Sequence, residues 1–189
     1  MPTLPRKRIY LAGPEVFLPD AVAVGRTKVA VAAEAGFEGV FPLDASLALG
    51  GCSKREQGRR IALACEAMMR SCDLAVANLT PFRGVSMDSG TAYEVGYMRA
   101  LGRPVLGYSN VAGDIRGRAL AYRARGIPQG DADRPDLEVE DFGEPENLMI
   151  AIAIVESGGT VWQHDAGGDL HDLTAFRRCL AEARRLLPA

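Results

Sequence analysis

Short apolar runs alternate along the chain with stretches in which apolar residues recur every three or four positions. "IYLAG" (Ile9 to Gly13) is a brief apolar run closed by Gly13-Pro14, as expected of a buried strand. From about Pro19-Asp20 to Ala35 the residues Val22, Val29 and Ala33 recur at helical spacing, and Gly36 ends the pattern. "FEGVFPL" reads as a second strand. After a Gly-Gly loop, "SKRE" (Ser53 to Glu56) has capping-box spacing and opens a helix reaching about Ser71. "DLAVANL" (Asp73 to Leu79) is a third strand, Ser89 to Leu101 a helix stopped by Gly102, and "PVLGY" a fourth strand.

From Asn110 to about Gly143 no period is sustained, with room only for a short helix around Ala119 to Ala124. A stretch of that length inside a compact domain is expected to be a lid or an oligomer contact. "PENLMIAIAIVESGG" then predicts a helix ending at Gly158, "TVWQ" a fifth strand, and "DLTAFRRCLAEARRLL" an amphipathic terminal helix. Alternating strands and helices imply α/β architecture: a doubly wound, flavodoxin-like parallel sheet of about five strands with helices on both faces. One domain is expected over residues 1–189.

Composition narrows the classes. The 189 residues are 48% hydrophobic and 24% charged with a net charge of -2, ordinary for one globular domain, and the basic residues are scattered rather than gathered on a nucleic-acid surface. No C-x-x-C pair occurs among Cys52, Cys65, Cys72 and Cys179, which points to buried thiols in a reducing compartment. No apolar run approaches membrane-spanning length and the first residues are too short and polar for a signal peptide, so no membrane partner and a cytoplasmic location are expected. Neither G-x-G-x-x-G nor a P-loop is present, "GVSMDSG" is not a nucleophile elbow, and His164 and His171 lack ligand spacing; no cofactor or metal is expected.

What is left is carboxylate chemistry in "MDSGTAYE" (Met87 to Glu94). In an open parallel sheet, ligands bind beyond the carboxyl ends of the strands where strand order reverses. For the flavodoxin-like order, that brings "GPEVF" and "TPFRGVSMDSG" together and delivers Asp88 and Glu94 to the ligand site. A pair of acids flanking an anomeric carbon can cleave a glycosidic bond. Near a helix amino end Glu94 is expected to ionise easily, which suits a nucleophile. The plainer interpretation makes Asp88 an N-cap and Glu94 a solvated helix residue. Gly90, Ala92 and Gly96 leave little bulk around Glu94, poor for helix propensity but good for ligand approach.

"IYLAGPEVF", "PLD", "ANLTPFRG", "DSGTAYEVGYMRALGRPV" and "ENLM" resemble, in the same order, the nucleoside 2-deoxyribosyltransferase family over roughly residues 8 to 160. The resemblance implies a flavodoxin-like fold and a glutamate nucleophile that attacks the anomeric carbon of a 2'-deoxynucleoside, releases the base and is displaced by another base with retention. By position it implies Glu94 as nucleophile, Asp88 contacting or protonating the departing base, and Tyr10 orienting the glutamate. It further implies that Gly13, Phe17, Asp44, Cys65, Phe82 and Gly90 bind substrate. Asn147 and Met149 would close the sugar end of a neighbouring subunit's site, making a homo-oligomer that acts on a nucleoside and a free nucleobase. Cys65 departs from the pattern: that helix often carries an Asp or Asn for the base, and Glu66 is one residue out of register. Two alternatives stand beside the transferase: a hydrolase acting on nucleoside 5'-monophosphates, and a non-catalytic nucleotide-binding module.

Overall fold

The computed structural model describes residues 5–44, 47–126 and 136–187. Five strands, β1 (Arg8–Ala12), β2 (Glu38–Val40), β3 (Leu74–Asn78), β4 (Val105–Ser109) and β5 (Val161–Gln163), form one parallel sheet in the order β2-β1-β3-β4-β5. This is the flavodoxin-like order, and it reverses between β1 and β3. Six helices complete the described chain: α1 (Ala21–Glu34), α2 (Lys54–Arg70), α3 (Ser89–Ala100), α4 (Ile115–Ala124), α5 (Leu148–Glu156) and α6 (Thr174–Leu186). Short 3₁₀ turns at Pro14–Phe17 and Pro42–Asp44 follow β1 and β2.

The central strands β1, β3 and β4 are buried on both faces, so their residues are mostly apolar and alternate between two cores. Ile9, Leu11, Leu74, Val76, Leu106 and Tyr108 pack with residues of α1 and α6. Tyr10, Ala12, Ala75, Ala77 and Val105 pack on the other face with Met69 of α2, Val95 and Met98 of α3 and Ile154 of α5. At about 25 cal/mol per Å² of buried apolar surface, these two layers are the main force holding the sheet.

Local chemistry sets the helix ends. Ser53 Oγ accepts the Glu56 amide at 3.2 Å, but the Glu56 carboxylate turns to Arg60 at 3.0 Å, so only half of the expected capping box forms. Asp88 and Asn147 cap α3 and α5 through their side chains. Gly102 and Gly158 follow α3 and α5 with φ of 69° and 89°, a left-handed conformation that favours glycine. β2 stops at Val40, short of the expected Leu43; Pro42 has no amide proton to continue a ladder.

The irregular segment is more ordered than its composition suggests. α4 begins at Ile115, capped by Asp114 through the Gly117 amide at 2.7 Å, well before the expected Ala119. It ends at Ala124 as expected and buries no residue, which is why apolar periodicity did not mark its first turn. Residues 127–135 of the expected lid lie outside the described part of the chain.

Candidate active site

Tyr10 projects from β1 into the face covered by α2 and α3 and is fully buried. Its hydroxyl donates to Glu94 Oε1 at 2.5 Å, a short charge-assisted hydrogen bond across 84 residues of sequence. Burial pushes the Glu94 carboxyl up to about 7; the Tyr10 hydrogen bond opposes this, Asp88 and Glu15 add to it, and Lys28 offsets part of it. The expected easy ionisation is therefore corrected: Glu94 stands in the second turn of α3, where loss of solvent outweighs the helix dipole, which fades beyond the first turn. The Tyr10 hydroxyl is held well above its ordinary pKa by burial first and by the Glu94 charge next, so it acts as a hydrogen-bond donor and not as an acid.

Both interpretations of "MDSGTAYE" contribute. Asp88 is an N-cap, its Oδ2 accepting the Thr91 amide at 3.0 Å and the Thr91 hydroxyl at 3.3 Å. Glu94, by contrast, is no solvated helix residue. A side chain at Gly90 would place a Cβ 2.9 Å from Asp88 Oδ2, so the glycine keeps that carboxylate in place.

Other expected site residues gather at the switch point. Phe17, ending the turn after β1, stacks on Phe82, after β3, with ring centroids 5.3 Å apart and planes at 17°. Gly13 is packed tightly at the end of β1: a Cβ there would sit 2.9 Å from Asn78 Cβ and 2.0 Å from Glu15 Oε2. Cys65 reaches the Tyr10 hydroxyl from α2; burial raises its thiol pKa, the Tyr10 hydrogen bond lowers it and the Glu94 charge raises it. Glu66 faces away from that contact, accepting the Tyr93 hydroxyl at 2.7 Å and pairing with Arg70 at 3.3 Å. Asp44 ends the turn after β2, and its side chain lies outside the described residues.

Asn147 and Met149 lie at the start of α5, and neither is hydrogen-bonded to Glu94. Asn147 Oδ1 accepts the Met149 amide at 3.0 Å and its amide group donates to Glu140; Met149 is 68% exposed. Asn147 lines a cavity of about 420 Å³ together with Arg83, Val85, Tyr122 and Glu140. No group of three or more metal-ligating side chains occurs among the described residues, and no helix among them is long and apolar enough to cross a membrane. All four cysteines are free thiols.

Two buried carboxylates escaped the sequence analysis. Glu15 is fully buried on the opposite face of the sheet from Glu94, and its Oε1 accepts from Lys28 at 2.7 Å, Asn78 at 3.0 Å and Tyr108 at 2.9 Å. Glu146 accepts the Ser86 hydroxyl at 2.6 Å and the Met87 amide at 3.1 Å, and pairs with Arg118 at 3.4 Å. It thereby ties the loop before Asp88 to α4 and to the cap of α5. The only advance signal was position, since Glu15 lies in "GPEVF" and Glu146 in "ENLM".

Comparison with known proteins shows the family and the fold. An uncharacterised protein of Schizosaccharomyces pombe is 33% identical over 169 residues, covering 81% of this chain and 79% of the relative. The solved structure of a 2-desoxiribosyltransferase from Leishmania mexicana is 33% identical, covers 76% of this chain and 85% of its own, and superposes with a TM-score of 0.57. A conserved protein from Enterococcus faecalis V583, 20% identical with a TM-score of 0.56, covers 94% of this chain and 99% of its own and shares the fold. The family model described as nucleoside 2-deoxyribosyltransferase matches residues 9–149, a span that holds Tyr10, Asp88, Glu94 and Asn147. The chain belongs to the nucleoside 2-deoxyribosyltransferase family.

Proposed function

We propose that this protein transfers 2-deoxyribose between nucleobases through a covalent intermediate on Glu94. The observation that carries the proposal is the Tyr10–Glu94 hydrogen bond: a partly buried carboxylate held by a phenol, with no Lys or Arg bonded to it among the described residues. A carboxylate left without a cation is poorly stabilised and therefore nucleophilic. Tyr10 holds Oε1 and leaves Oε2 to attack the anomeric carbon. The glycosidic bond breaks with its electron pair passing to the base, and a second base then attacks the glycosyl ester and regenerates the carboxylate. Asp88, with one oxygen held by Thr91, meets the base as an acceptor through the other. Phe17 and Phe82 provide aromatic surface for the base.

A second copy of the chain would contribute Asn147 and Met149 to this site. Met149, Ile152 and Val155 recur every three residues on α5 at 68%, 41% and 52% exposure, an apolar stripe suited to a subunit contact. Sedimentation of a fully active monomer would remove that part of the proposal.

The test is chromatography after mixing a 2'-deoxynucleoside with a different free base. A new deoxynucleoside is expected; free base without exchange would indicate hydrolysis, and no change across purine and pyrimidine substrates would indicate a binding module. With donor alone, mass spectrometry should find a deoxyribosyl adduct on the peptide containing Glu94.

A further inference from the structure

At the mouth of the switch point, the Arg83 guanidinium carbon lies 4.9 Å from the Phe17 ring centroid and 4.6 Å from that of Phe82. Arg83 is the non-glycine residue with positive φ, 56°, among the described residues. A left-handed conformation is strained for an arginine, and such strain collects where function requires it. The surrounding loop enforces it. The Phe82 amide donates to the Ser86 carbonyl at 2.9 Å, Arg118 Nε holds the Val85 carbonyl at 2.9 Å, and Glu146 holds Ser86 and Met87.

The two arginines of this region differ in what their donors do. Arg118 is spent on the carbonyls of Val85, Gly113 and Pro145 and on Glu146. Arg83 is exposed, rests on two aromatic rings and has no hydrogen-bond or ion-pair partner among the described residues. It is also the single cation of the two loop segments, Gly13–Phe17 and Leu79–Asp88, that flank the switch point. Among the described side chains, the charges that act on Glu94 are Asp88 and Glu15, with Glu15 offset by Lys28.

Building on the transferase reading, we infer that Arg83 contacts the departing base and stabilises its negative charge, and that the preferred donors are pyrimidine deoxynucleosides with a keto oxygen beside the glycosidic nitrogen. As the bond from the anomeric carbon to the base nitrogen breaks, the electron pair goes to the ring and spreads onto that oxygen, while Glu94 forms the new bond to the sugar. The guanidinium donates to the oxygen and balances the charge of the base anion. In the return step an acceptor base supplies the electron pair and Glu94 leaves as a carboxylate. A fixed cation at the position where charge develops contributes more in the transition state than in the ground state.

The experiment compares the wild-type protein with Arg83→Met and Arg83→Lys on 2'-deoxyuridine and 5-fluoro-2'-deoxyuridine. The fluorinated base stabilises its own anion and depends less on the protein. Arg83→Met is expected to lower kcat on 2'-deoxyuridine by about 100-fold and on the fluorinated substrate by less than about 10-fold, with Arg83→Lys in between. Its melting temperature should be unchanged, since the side chain is exposed. Equal slowing of both substrates would reveal a structural role and overturn the inference, as would no slowing of either. A wild-type protein that exchanges purine but neither pyrimidine nucleoside would overturn it while leaving the transferase intact. A wild-type protein that turns over no deoxynucleoside defeats the transferase reading itself, before any variant is made.

Discussion

Glu15 and Glu94 lie on opposite faces of the same sheet, both near its switch point; Glu15 is fully buried and Glu94 partly so, and their partners differ. Glu15 has Lys28 at 2.7 Å, with Asn78 and Tyr108 on the same oxygen. Burial pushes its carboxyl up, but the Lys28 charge and the hydrogen bonds from Lys28 and Asn78 outweigh that, and its pKa falls below the usual carboxylate range. Glu94 has a phenol and no bonded cation, and its pKa rises to about 7. Burial alone therefore does not distinguish a structural acid from a reactive one. Whether the fold supplies a counter-charge does.

The sharpest way to break this contrast is to remove the Glu94 charge. Glu94→Gln should reduce exchange by roughly 10⁴-fold or more, as expected for loss of a nucleophile. The same variant should be more stable than wild type at pH 8. A carboxyl whose pKa is raised from 4.5 to about 7 on folding binds its proton more tightly in the native state, so its contribution is complete below about 4.5 and is lost as pH rises through about 7. Removing the charge should recover about 1–3 kcal/mol at pH 8 and little at pH 4.5, read from urea unfolding at both values. Equal stability at pH 8 would contradict a carboxylate destabilised by loss of solvent.

Lys28→Met converts Glu15 into a buried acid without its partner. A loss of about 3–5 kcal/mol is expected, with the double variant Glu15→Gln/Lys28→Met recovering most of it. The pH dependence has the opposite sign to that of Glu94. With a depressed pKa, the Glu15 contribution is present above about 4.5 and is lost as pH falls through the folded value. If Lys28→Met unfolds no more readily than wild type, the pair is not the structural element its geometry indicates.

The smallest effect belongs to Tyr10→Phe, which removes the hydrogen bond that holds Glu94 down. A decrease in kcat/KM of about 10–100-fold is expected. The acid limb of the pH–rate profile, expected near 7 in wild type, should move to higher pH. An unshifted limb would separate Tyr10 from the ionisation of Glu94.

Much of this arrangement was legible in the chain. The apolar runs, the helix-ending glycines at 102 and 158 and the capping residues Ser53 and Asp88 mark elements by local chemistry, so neighbouring residues suffice to find them. The strand order placed "GPEVF" and "TPFRGVSMDSG" side by side, and Phe17 and Phe82 do stack there. Other features were hidden by distance along the sequence. Glu15 finds its partners 13, 63 and 93 residues away, and Glu146 reaches back 60 residues to Ser86. In strands buried on both faces, an unbroken apolar run also conceals which residue points to which side; nothing local says that Tyr10 faces Glu94 while Leu11 faces α1 and α6.

The sequence by itself determined the order of elements, the location of the switch point and the segments that meet there, because hydrophobic period and turn chemistry act over a few residues. Only the tertiary structure decided the charge state of its acids. A pKa depends on the solvent that folding removes and on the charges that folding brings near. Lys28 of α1 neutralises Glu15, and among the described residues Glu94 keeps only the hydroxyl of Tyr10.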